Sequence, residues 1–162
     1  MRYVAIDLGA KRTGLAVGDS IIGLVQPLKV LDVPEGPRLI DALARAIDDI
    51  GPNRIVVGLP INMDGTEGPA ARSVRQIGQA LATRTGVPVD FQDERLTSFA
   101  AESHLDRSGR THKEKREIRD ALAAAEILRD YLRAIAERAA PTTDDTSSDG
   151  GVDEEAADGT GT

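Results

Sequence analysis

Apolar and polar positions change their period several times along the chain, and each change marks an element. Tyr3-Val4-Ala5-Ile6 is a β-forming apolar run interrupted by Asp7, with Leu8 and Gly9 beyond it, and predicts an opening strand. Residues 14–19 predict a second strand after a short turn. Residues 22–31 predict a third, which Pro27 confines to a sheet edge or bends. Three strands with short links suggest an antiparallel meander. Leu39, Ile40, Leu43, Ala46, Ile47 and Ile50 then recur at helical spacing and stop at Gly51-Pro52. The nearly continuous apolar run over 54–59 fits a strand buried on both faces, as parallel pairing requires.

A loop over 60–69 holds Asn62, Asp64-Gly65 and Gly68, and Ala71, Val74, Ile77, Gly78 and Leu81 mark a second helix. Residues 87–92 predict a fifth strand leading straight into Asp93-Glu94-Arg95. A short helix is expected at about 99–105, capped by Thr97 or Ser98. Thr111-x-x-Glu114 has the capping-box pattern. It opens a last helix running to about Arg138, with Ile118, Ala121, Leu122, Ala125, Leu128 and Leu132 on its apolar face. The sum is an α/β domain: a mixed five-stranded sheet flanked by helices, with ligand chemistry expected at strand ends.

Composition narrows the chemistry. One domain over residues 1–140 is expected, followed by a disordered acidic tail over 141–162 rich in Asp, Glu, Gly, Ser and Thr. Tyr3, Phe91, Phe99 and Tyr131 are the only aromatics, so the core is aliphatic and few rings are available to stack on bases. With no Cys there is neither a disulfide framework nor a thiolate metal site. The net charge of −7 comes from the tail, whose seven acids leave twenty acids against twenty bases in residues 1–140. No signal-peptide pattern and no bilayer-length apolar run is present, so a cytoplasmic location without membrane contact is expected.

Three acidic positions stand out. Asp7 interrupts a run that wants burial, and a buried carboxylate needs a compensating partner. Asp93 and Glu94 follow a buried-type strand, and strand alternation alone does not choose between them. Asp120 stacks with Ala124, Ile127 and Tyr131 at the margin of the last helix's apolar face. Each has a plain structural alternative. Asp93 or Glu94 can cap the next helix or pair with Arg95, and Asp120 can pair with Arg116 four residues before it. Together, oxygen-only ligands without a Cys or a His pair point to a hard cation, Mg²⁺ or Mn²⁺. Carboxylates gathered on two such ions allow a protein without a nucleophile to hydrolyse phosphodiesters.

Asp7-x-Gly9-x-Lys11-Arg12-x-Gly14, Val57-Gly58-Leu59-Pro60 with Asn62, Asp64-Gly65-Thr66 and Gly68, Asp93-Glu94-Arg95-Leu96-Thr97, and Asp120-x-x-Ala123-Ala124 resemble, in order and spacing, the YqgF/RuvX family. Its members are described as Holliday junction resolvases or pre-16S rRNA nucleases, and the resemblance covers residues 3 to about 135. It implies a ribonuclease H-like fold with Asp7, Glu94 and Asp120 as catalytic and metal-holding acids, and it selects Glu94 over Asp93. The expected mechanism is in-line attack of a metal-activated water on a backbone phosphodiester, with Asp7 bridging both ions.

Lys11 and Arg12 stand close enough to Asp7 to hold a phosphate; otherwise they are solvated turn charges. Arg95 and the run Arg107, Arg110, Lys113, Lys115, Arg116 and Arg119 suggest backbone rather than base recognition. The expected partner is pre-rRNA or branched DNA, bound by a monomer or homodimer. The chemistry is metal-dependent hydrolysis, directed to the 5′ end of pre-16S rRNA or, alternatively, to Holliday junctions. A sugar kinase or actin-like ATPase also places Asp and Gly after an opening strand but needs two such halves closing over a nucleotide. Leu15 rather than Lys after Gly14 leaves a P-loop unsupported as well. A non-catalytic nucleic-acid-binding module leaves the acid trio without a purpose.

Overall fold

A computed structural model describes residues 1–96 and 111–141 of the chain. Its elements are β1 (Arg2–Leu8), β2 (Thr13–Asp19), β3 (Leu24–Leu31), α1 (Pro37–Ile50), β4 (Arg54–Leu59), α2 (Pro69–Thr85), β5 (Val89–Asp93), a 3₁₀ turn (Glu94–Leu96) and α3 (His112–Ala139). The expected helix at 99–105, Arg107, Arg110 and the tail beyond Pro141 lie outside the described residues.

The five strands form one sheet in the order β3-β2-β1-β4-β5. β1 is antiparallel to β2 and parallel to β4, which is parallel to β5, while β2 and β3 are antiparallel. Pro27 lies on the edge strand, where no second neighbour asks for its missing N–H. The β2–β3 register shifts between Leu15 and Ala16, which pair with Lys29 and Pro27.

Side-chain alternation sorts the sheet into two aliphatic layers. Val4 and Ile6 of β1 pack with Leu39, Leu43 and Ile47 of α1 and Val74, Ile77 and Leu81 of α2. Tyr3 and Ala5 face the other way, onto Ala124, Ala125, Ile127 and Leu128 of α3. Asp7 continues the second set and therefore points to the α3 side. The Glu114/Thr111 capping box opens α3 as expected, with Thr111 accepting from the Glu114 amide. α1 and α2 both start with Pro after an uncapped Gly and end on a left-handed Gly, Gly51 and Gly86.

The buried face of α3 differs from the expected one. It is Ala121, Ala124, Ala125, Ile127 and Leu128, while Leu122 is half-buried. The leucines weighted the pattern, but the tight contact to the sheet is made by alanines, whose size lets the helix approach closely. This rotation brings Asp120, one turn before Ala124, onto the face that meets the sheet. Among the described residues no helix is long and apolar enough to cross a membrane.

Candidate active site

The C-terminal end of β1 carries Asp7 between two glycines. Asp7 pairs with Gly14 on β2. On the other side, Ile6 pairs with Val57, and Gly58 follows in β4. A Cβ at Gly14 would stand 2.0 Å from the carbonyl oxygen of Asp120, so the bare backbone there is what admits α3. A Cβ at Gly58 would stand 2.4 Å from Glu94 Oε1 and 2.6 Å from Ile127 Cδ1. Each glycine thus makes room for one further acid beside Asp7. A glycine inside an apolar strand run was the available sequence signal for these two roles.

Glu94 enters from the turn after β5, and its carboxyl is hydrogen-bonded to that of Asp7. Burial, then the Asp7 charge, push Glu94 up to about 8. Burial, opposed by the Glu94 hydrogen bond and reinforced by the Asp120 charge, raises Asp7 as well. The two effects of the shared hydrogen bond have opposite sign, lowering Asp7 and raising Glu94. Burial and mutual repulsion thus favour one proton held between the two carboxyls. Asp93 is turned elsewhere. Its carboxylate receives Arg95 Nε and Nη2 at 3.0 and 2.7 Å, and this guanidinium holds its pKa below the usual carboxylate range.

Asp120 completes the convergence from α3, but its partner is Arg12 rather than Arg116. Arg12 Nε donates to Asp120 Oδ2 at 2.9 Å across 108 residues of sequence. Lys11 is exposed in the same turn, and Lys113 and Arg116 are exposed on the first turns of α3. Arg95 is occupied differently from a free phosphate contact. Besides Asp93 it reaches the carbonyls of Asn62 and Met63, both at 3.4 Å, and so ties the β4–α2 loop to the residue beside Glu94. That loop is further closed by Asn62 N–H to Thr66 O and by Thr66 N–H to Asp64 Oδ1, both 2.9 Å. Arg110 lies outside the described residues.

The donor set suits a hard divalent cation. Asp7 and Glu94 are hydrogen-bonded and both raised by burial, a state a cation relieves, and the ligand atoms that Asp7, Glu94 and Asp120 offer are all oxygen. Among the described residues no three acidic or imidazole side chains stand in metal-holding geometry. Asp120 is drawn to Arg12 instead.

A mixed sheet in this order, with acids converging on the end of its first strand, defines a ribonuclease H-like α/β protein. The fold is shared with T. thermophilus RuvC in complex with a Holliday junction substrate, at a TM-score of 0.52 and 19% identity over 83% of this chain and 96% of that one. It is shared also with the fowlpox virus Holliday junction resolvase, at a TM-score of 0.53 and 11% identity over 83% and 99%. These are likenesses of fold. The chain belongs to the RuvX family, described as Holliday junction resolvase, whose model matches residues 1–134. A relative from Anaeromyxobacter sp. (strain Fw109-5), named "Putative pre-16S rRNA nuclease", is 42% identical over 82% of this chain and 96% of its own length.

Proposed function

We propose that this chain is a divalent-metal-dependent nuclease that hydrolyses nucleic-acid phosphodiesters, acting on the 5′ end of pre-16S rRNA, with Asp7, Glu94 and Asp120 as its metal-holding acids. The observation that carries this reading is the pair of glycines flanking Asp7, which clear space for Glu94 on one side and for α3 at Asp120 on the other. A fold needing only a capped strand end has no use for a buried Asp7–Glu94 pair with the Asp120 charge close by.

Mg²⁺ or Mn²⁺ held there would polarise a phosphoryl oxygen and lower the pKa of the attacking water. Asp7 sits on a central strand and gives the site its rigid reference point. Glu94 would hold the cation as a carboxylate, its proton passing to solvent. Arg12, Lys11, Lys113 and Arg116 present cations around the acids, which offsets the repulsion a polyanion meets at a carboxylate cluster. The scarcity of aromatic side chains favours recognition by backbone and shape.

A second substrate, the four-way DNA junction, is supported by the family description and by the junction-bound relative of the same fold. Incubation with Mn²⁺ and, side by side, pre-16S 5′-flank RNA and a four-way junction separates the two. Asp7→Asn, Glu94→Gln and Asp120→Asn are each expected to lower the cleavage rate by about a hundredfold or more, because they misplace or remove the groups that orient the reaction. Wild-type rates in Asp7→Asn would place the activity outside this site.

A further inference from the structure

Asp7, Glu94 and Asp120 lie near the end of β1 and feel one another's charge, yet they are partnered unequally. Asp7 and Glu94 hold each other, whereas Asp120 is held by a guanidinium that arrives from the β1–β2 turn. The local alternative, Arg116, is exposed one helical turn before Asp120 and loses to it. The Arg12–Asp120 pair is mostly shielded, with 30% and 27% of the side chains exposed.

Both backbones are closely packed. Gly9 N–H donates to Arg12 O at 2.9 Å, and a Cβ at Gly9 would stand only 2.6 Å from that oxygen, so the turn is closed tightly. The α3 backbone at Asp120 rests against Gly14. The side chains of Arg12 and Asp120 are therefore the parts freest to rearrange. One guanidinium then faces two anions that want it, the Asp120 carboxylate and a substrate phosphate. A phosphate takes a guanidinium in a two-pronged geometry, whereas Asp120 receives it through Nε.

We propose that Arg12 is a positioning residue that withholds Asp120 from the acid cluster until a nucleic-acid phosphate takes its guanidinium, so that substrate and cation load cooperatively. This rests on the nuclease reading and adds to it an order of assembly. Without substrate, the third carboxylate is neutralised by the chain itself and the site binds a cation weakly. With substrate, Arg12 moves to the phosphate and Asp120 turns to the cation. By linkage, each ligand raises the affinity for the other by one factor.

The sign of one measurement decides it. Mn²⁺ affinity is measured by calorimetry on the whole chain without nucleic acid, for wild type, Arg12→Ala and the double variant Arg12→Ala/Asp120→Asn. Arg12→Ala is expected to bind Mn²⁺ more tightly, by about tenfold, and the double variant to lose that gain. In wild type, a saturating phosphorothioate RNA strand tightens Mn²⁺ binding by a similar factor, and in Arg12→Ala this added coupling falls away. Unchanged or weaker Mn²⁺ binding by Arg12→Ala overturns the proposal, as does equal coupling in both proteins. Should Arg12→Ala not fold, Arg12→Gln takes its place, and absence of coupling in wild type is by itself enough to refute the idea. If wild type binds neither RNA nor a four-way junction, the nuclease reading fails, while the titrations without nucleic acid still decide whether Arg12 withholds Asp120.

Discussion

Replacing Asp7 by Asn should abolish cleavage and, at the same time, stabilise the metal-free protein in a pH-dependent way. Glu94 is pushed from an ordinary value of 4.5 to about 8, first by burial and then by the Asp7 charge. A carboxyl whose folded value is raised binds more protons in the native state than in the unfolded one. Its contribution is intact below about pH 4.5 and is lost as pH rises toward 8. The whole shift corresponds to about 5 kcal/mol, which solvent screening of a half-open side chain reduces to about 2 kcal/mol.

Asn at position 7 removes the charge contribution, leaves the burial contribution, and offers an amide donor to ionised Glu94. A net gain of about 1–2 kcal/mol at pH 8 follows, or roughly 3–8 °C in Tm for a domain of this size. At pH 5 both carboxyls of the wild type are closer to neutral and the gain should shrink to near zero. Thermal unfolding in EDTA at the two pH values reads this directly. An Asp7→Asn protein whose Tm exceeds wild type equally at pH 5 and pH 8, or at neither, would refute the coupling of the two acids.

Two further outcomes follow from the packing around the acids. Gly58→Ala puts a methyl where Glu94 Oε1 and Ile127 Cδ1 now stand. It should cost about 1–3 kcal/mol in denaturant unfolding, and cleavage should fall by about a hundredfold because Glu94 is displaced. A kcat unchanged from wild type would show that Glu94 need not occupy that space. Arg95→Ala releases the β4–α2 loop, so the amides of Asn62, Gly65 and Thr66 should exchange with deuterium faster than in wild type, while those of β1 do not change. Equal protection of the loop in both proteins would mean that its internal hydrogen bonds alone hold it.

Much of this molecule was legible without coordinates. The order of elements came from period changes. Edge placement of β3 followed from Pro27, and the α3 start from the Thr111/Glu114 box, because these depend on local backbone chemistry that a short window contains. The acids at 7, 94 and 120 were also visible, as charges in or beside apolar runs, with the family pattern choosing Glu94 over its neighbour. Their pairing was not. Arg116 and Arg95 were near in sequence to the acids and to the expected substrate, yet Asp120 found Arg12, and Arg95 turned back to Asp93 and the loop. Ion pairs over 108 residues depend on how closely α3 approaches the sheet, and that approach is set by Gly14 and a face of alanines, residues too small to weigh in a hydrophobic pattern. Sequence alone thus determined which elements form and which groups carry charge. Tertiary packing decided which of those charges meet, since a contact between distant strands and helices exists only once the side chains separating them prove small enough to allow it.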